Sequence, residues 1–173
     1  MGLVGEDDEL VPVEVVGVRQ NLADAEVVVL LLDPDAELLV PILIGPAEAS
    51  AIASAQAGIV PPRPMTHDLL RDALRAAGAT VNRVEIVRLE EGVFHAALVL
   101  GTGRRVDSRA SDAIAVALRF GCPVLCSAEV VAVAGIEVRT GPTEQDLERF
   151  REFLDHVEPE DFGTTGDAGQ GGR

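Results

Sequence analysis

The 173-residue chain has no tryptophan, no tyrosine and no lysine, and only two cysteines. Five phenylalanines are its only aromatic residues. A core must then be filled by small aliphatic side chains, and a further buried interface through self-association is expected to help close it. All 14 basic residues are arginine, and with the abundance of Ala, Val and Gly this suggests a GC-rich bacterial genome. Cys122 and Cys126 lie in one short apolar segment with no neighbouring base or metal partner. They read as reduced structural thiols, not as a disulfide framework or a zinc site. No apolar run reaches membrane-spanning length: the longest, "VVVLLL" at 27–32, is strand-sized and closed by "DPDAE". The acidic opening "MGLVGEDDEL" is unlike a signal peptide, so a cytoplasmic protein is expected.

Excess positive charge is also lacking. The formal net charge is −15, and most of it sits at the ends. Residues 1–10 carry four acids and no base, and residues 141–173 carry nine acids and three arginines. The span between is much closer to neutral, with sixteen acids against eleven arginines. Such a protein is a poor default binder of a polyanion unless arginines cluster locally or a cation is bound. Familiar catalytic signatures are missing too. There is no HExxH, no paired CxxC, no Gly-x-Ser-x-Gly elbow and no glycine-rich phosphate loop, and no Asp-x-Asp among the polar residues at the helix starts.

The patterning that is present predicts strands over 11–18, a hairpin of "EVVVLLL" and "ELLVPILI" around Asp33-Pro34-Asp35, and strands in "TVNRVEIVRL", "GVFHAALVL", "RRVD" and "PVLCS". Pro41 cannot donate to a ladder, so its strand must be an edge or bulge there. Helices are predicted from Pro46 to a stop at Gly58, and from an N-cap at Thr66 to Gly78. A third runs from an N-cap at Ser108 to Phe120. Strands come first in runs and helices are then interspersed, which indicates an α+β fold with a mixed sheet in a single domain. The expected organisation is an acidic extension at 1–10 and a globular domain at 11–135. An acidic region with a helix over 143–157 follows at 136–162, and a disordered tail at 163–173.

Polar residues crowd two helix starts. In "VDSRASDAIAVALR", Asp107, Ser108 and Asp112 suit the positive end of a helix. Arg109 does not, because a cation is unfavourable there, and so a carboxylate or phosphate partner is expected for it. Asp68 is good helix-start chemistry, whereas His67 beside it has no structural need to be histidine. Glu48 falls where it can reach back to cap the helix after Gly45. His95 is expected to be a hydrogen-bonded core residue. These features can be plain capping, or a site that holds a metal ion or a phosphate.

"VPILIGPAEASAI", "RPMTHDLLRDALRAAGA" and "VDSRASDAIAVALR", in this order and spacing, resemble the bifunctional nuclease family over about residues 11–135. The resemblance implies a mixed-sheet α+β domain that tends to self-associate, as a dimer or larger homo-oligomer, with nuclease activity on DNA and RNA. The matching positions are Glu48, Arg63, His67, Asp68, Asp107, Ser108, Arg109, Ser111 and Asp112. Val40 stands before Pro41 where the family usually has leucine. On this reading Asp107 and Asp112 hold Mg²⁺ or Mn²⁺, and His67, Asp68, Arg109 and Ser111 form the catalytic group. Arg63 and Arg109 contact the substrate phosphate. The alternative is a regulatory or binding module that uses the same polar cluster as an interface or ligand site.

Overall fold

The computed structural model describes residues 9–20 and 26–137. These lie in the first of two compact units, Met1–Val138; the second, Arg139–Arg173, is outside the described residues. The acidic extension, the 143–157 helix and the tail expected from the sequence therefore also fall outside them, apart from the start of the first strand.

Eight strands form one mixed sheet: β1 (Leu10–Gln20), β2 (Val27–Asp33), β3 (Leu38–Ile44), β4 (Val81–Glu90), β5 (Val93–Leu100), β6 (Arg105–Arg109), β7 (Val124–Ser127) and β8 (Ile136–Glu137). Four helices accompany them: α1 (Pro46–Gln56), α2 (Thr66–Ala76), α3 (Ala110–Phe120) and α4 (Ala128–Ala134). The strand order is β6-β5-β4-β7-β1-β2-β3-β8. Every pairing is antiparallel except β4 with β7. This is the α+β fold with a mixed sheet that the element order predicts.

β1 joins the two halves of the sheet, pairing through Leu10–Val13 with β7 and through Glu14–Gln20 with β2. It bulges between Val15 and Gly17, where Gly17 has φ +144°, a conformation that glycine tolerates. The β2–β3 turn is held by Asp33, whose Oδ1 accepts the N–H groups of Asp35 (3.0 Å) and Ala36 (3.1 Å). β8 pairs only with Leu38 and Leu39, so beyond them β3 is an edge at Pro41, where no ladder donor is needed.

α3 is the hub of the core. Ala110, Ser111, Ala113, Ile114, Ala115, Val116 and Ala117 are all buried. The sequence predicts one apolar face, but burial extends round the helix because α1, α2 and strands β3–β6 all touch it. Side chains no larger than isoleucine let those elements approach. α2 has no buried residue, although its apolar stripe is pronounced. Leu69 (61%) and Leu70 (40%) stay exposed. α4 and β8 have no counterpart in the sequence-based expectation.

Candidate functional site

The site forms where β6 turns into α3. Arg109 is the last residue of β6 and the N-cap of α3, with extended φ −66° and ψ 144°. Ser108 is therefore not the cap: it still belongs to the strand, and its hydroxyl donates to the Arg109 carbonyl at 3.0 Å. The cation at the helix start is offset by two carboxylates. Arg109 Nε donates to Asp112 Oδ2 at 2.6 Å, and Nη2 donates to Glu48 Oε1 at 3.0 Å. These bonds raise the Arg109 pKa. Glu48 reaches back over Gly45, where an added Cβ would meet its Oε2. The carboxylate alternative for Arg109 is thus the one realised within the chain.

α2 supplies the other wall. Its N-cap is Met65, not Thr66, because the backbone N–H of Met65 is taken by Asp68 Oδ2 at 3.1 Å, the acidic half of a capping box. Asp68 Oδ1 accepts from Arg119 Nε at 2.6 Å. Arg119, 5% exposed, also donates through Nη1 to the carbonyls of Ala51 (3.1 Å) and Ala115 (2.9 Å). One guanidinium therefore ties α1, α2 and α3 together. Burial pushes the Asp68 carboxyl up, but the Arg119 and Met65 hydrogen bonds and the charges of Arg119 and Arg71 outweigh it. The result lies below the ordinary 3.8.

Latched in this way, α2 brings His67 to the start of α3. His67 Nε2 lies 2.9 Å from Asp112 Oδ1, and its side chain is 13% exposed. Asp112 thus bridges His67 and Arg109 through its two oxygens. Burial opposes ionisation of Asp112, but the hydrogen bonds from Arg109 and His67 and their charges prevail, so its carboxyl also lies below 3.8.

Beside this array runs a groove of about 470 Å³, lined by His67, Leu70, Leu98, Val106, Asp107 and Asp112 among others. The Asp107 carboxylate makes no hydrogen bond or ion pair with any described residue. Arg109, with a 67% exposed side chain, lines this groove and a second one of about 380 Å³ that holds Glu48, Phe94 and the buried Ser111.

Of the residues expected at the site, His67, Asp107, Arg109 and Asp112 share one groove. Asp68 is held away from it by Arg119, and Ser111 opens to the other side of Arg109. Arg63 is exposed on the connector before α2 and borders neither groove. His95 is not in the core but half-buried on β5, 3.8 Å from Glu90. Arg119 was not singled out by sequence. The available signal was its place on the polar face of α3, two turns after Asp112. Among the described residues, no group of three or more His, Cys, Asp or Glu is arranged to hold a metal ion. Both Asp112 oxygens are engaged, by His67 and by Arg109. Cys126 is buried and its thiol is pushed up to about 12, chiefly by burial, so it is no nucleophile.

No helix among the described residues is long and apolar enough to cross a membrane. Two uncharacterized proteins from two strains of Mycobacterium tuberculosis, Rv1829 and MT1877, are each 42% identical to this chain over 161 residues, covering 88% of it and 98% of their own length. Residues 29–139, which carry every site residue above, match the bifunctional nuclease domain. The match spans more than half of the chain and includes both helix starts that form the groove: the chain belongs to the bifunctional nuclease domain family.

Proposed function

We propose that the groove beside His67 hydrolyses phosphodiester bonds of DNA or RNA with little sequence preference. The observation that carries this reading is the His67–Asp112–Arg109 array, with His67 Nε2 at 2.9 Å and Arg109 Nε at 2.6 Å from the two oxygens of one carboxylate. Asp112 orients the imidazole and stabilises its protonated form. Nδ1 is then the nitrogen that takes a proton from the attacking water or delivers one to the leaving oxygen. Arg109 keeps N–H groups beyond those bound to Asp112 and Glu48, and these neutralise the phosphoryl oxygens as charge builds. Arg63 serves as a second phosphate contact along the strand, and Ser111 as a further hydroxyl donor on the far side of Arg109. Asp68 acts through Arg119 as a positioning residue.

Mg²⁺ or Mn²⁺ assists in this reading as an ion that arrives with the nucleic acid. Asp107, whose carboxylate has no partner among the described residues, would hold it together with phosphate oxygens and water; Mg²⁺ commonly keeps several waters and one or two protein carboxylates. The ion would also ease the approach of a polyanion to a chain of net charge −15. Low sequence preference follows from the aliphatic lining beside the charged array, which offers few groups to read base edges. The two free thiols suit a cytoplasmic place of action.

One observation favours a second reading, a non-catalytic binding module: His67, Asp112 and Arg109 are all engaged with one another or with Glu48, as in a structural network. The two readings separate in one experiment on the full chain. Wild type, His67→Ala and Asp112→Ala are purified side by side, matched for folding, and assayed on DNA and RNA with Mg²⁺, with Mn²⁺ and with EDTA. The expected result is metal-stimulated hydrolysis that falls by about 10²-fold or more in His67→Ala. Equal degradation by all three proteins assigns the activity to a contaminant. If none hydrolyses, and the wild type binds nucleic acid or another partner that Arg109→Ala abolishes, the module reading stands.

A further inference from the structure

The groove of about 380 Å³ on the far side of Arg109 differs in character from the one beside His67. One wall is the end of β3, Ile42–Ile44, and another is the start of β5, where Phe94 supplies an aromatic ring beside Val93. The buried Ala110 and Ser111 mark its deep end, and the exposed Arg109 stands at its mouth. Two polar groups are left open there. Ser111 is only 9% exposed, yet its hydroxyl makes no hydrogen bond with any described residue. Buried polar groups are nearly always paired, so an open one that lines a cavity points to a ligand. Glu48 is the second group. Its Oε1 accepts from Arg109, while its Oε2 accepts from no described residue and makes no helix-capping bond.

We propose that this groove is a base subsite, which receives one unpaired nucleobase of a single-stranded nucleic acid whose phosphate lies on Arg109. It rests on the reading of Arg109 as a phosphate contact, and it adds the class of strand. A nucleobase has two apolar faces and a polar edge. The aliphatic walls and the Phe94 ring suit the faces. The Glu48 carboxylate and the Ser111 hydroxyl suit the edge. An ionised carboxylate only accepts, so Glu48 favours a base with an exocyclic amino group. A hydroxyl can donate, so Ser111 meets the ring nitrogen beside that group in adenine or cytosine. Thymine and uracil present a carbonyl oxygen in place of the amino group, and it opposes the carboxylate. Since adenine, cytosine and guanine all carry an amino group, the preference is confined to rejecting one base at one position. A base inside a duplex is stacked and already paired on this edge, and cannot enter unless it flips out. Single strands, loops and ends are therefore the substrates that the groove fits.

The test reads binding by the full chain, with Ca²⁺ in place of Mg²⁺ to slow hydrolysis and thermal unfolding as a check on folding. The probes are fluorescent oligo-dC, oligo-dT and a mixed-sequence duplex, each of about 12 nucleotides, followed by anisotropy. Wild type is expected to bind oligo-dC about 10-fold or more tightly than the duplex, and about 3- to 10-fold more tightly than oligo-dT, the worth of one hydrogen bond. Ser111→Ala should weaken oligo-dC by about 3- to 10-fold and leave the duplex unchanged. Glu48→Gln carries an amide that can donate to a carbonyl, so it should narrow the gap between oligo-dC and oligo-dT. A purely structural role for either residue would lower binding to all three probes alike. That result overturns the proposal, as do a wild type that binds the duplex as tightly as oligo-dC and a wild type that binds none of the probes. Hydrolysis without a preference for single strands removes the subsite and leaves the proposed activity standing. The preference without hydrolysis keeps the subsite and removes the activity.

Discussion

The two helices that begin at the candidate site are held by opposite means. α3 has seven of its eleven residues buried, whereas α2 has none. α3 is fixed by packing on every side. α2 rests mainly on α3 and is pinned by two polar links, Asp68–Arg119 and His67–Asp112. The groove is therefore a rigid wall facing a latched one. The residue proposed for proton transfer, His67, stands on the latched wall. Its position depends on carboxylates and a guanidinium more than on apolar contact, so stability and site geometry should respond to different substitutions.

The largest effect should come from the packed helix. Ile114 is fully buried at the centre of α3, and Ile114→Ala removes apolar contacts and leaves a cavity, a loss of about 2–5 kcal/mol. On α2, Leu70 is 40% exposed, and Leu70→Ala should lose less than about 1 kcal/mol, since little of its area is removed from water. Urea denaturation of the two variants beside wild type measures the contrast. Similar losses would mean that α2 is packed as firmly as α3.

The latch comes next. Asp68→Ala leaves Arg119, 5% exposed, with only its two carbonyl partners, and should destabilise the protein by about 1–3 kcal/mol. It should also disturb His67 and reduce any hydrolysis by up to about 10²-fold, as expected of a misplaced catalytic group. The same link predicts the response to acid. The Asp68 and Asp112 carboxyls both titrate below the ordinary 3.8 in the folded chain. Their contribution is fully present above the unfolded value and is lost as pH falls through the lower folded values. Denaturation midpoints should therefore drop below about pH 4, and less steeply in Asp68→Asn than in wild type. Parallel profiles for the two proteins would remove Asp68 from the account.

Much of the fold was legible because strand alternation and turn residues are local signals. The β2–β3 hairpin, the edge at Pro41 and the glycine after each of α1 and α2 follow from a few neighbouring residues. α4 and β8 were not legible, since "AEVVAVAGIEV" is short and has no clear period, although Ser127 and Gly135 stand at the two caps of α4. At the site, the crowding of polar residues at two helix starts was visible, but their pairing was not. His67 meets Asp112 across 45 positions and Asp68 meets Arg119 across 51. No local rule assigns partners at that distance, and so neither pair could be read from the sequence.

The smallest expected effect separates the two accounts of how α2 starts. If Thr66 were the cap, its hydroxyl would accept a helix N–H, and Thr66→Ala would cost about 1 kcal/mol. Instead Thr66 is the first helical residue and exposed, Met65 is the cap, and the open donor at Met65 is taken by Asp68 at 3.1 Å. Thr66→Ala should then shift stability by no more than about 0.5 kcal/mol, in the range of an ordinary surface substitution. It should also leave hydrolysis unchanged. Repeated urea titrations resolve that difference when Thr66→Ala and Asp68→Ala are run together. A loss near 1 kcal/mol in Thr66→Ala would mean that α2 carries its own cap and relies less on α3. The contrast between the packed and the latched helix would then narrow, and His67 would be held more by its own helix than by the carboxylate it faces.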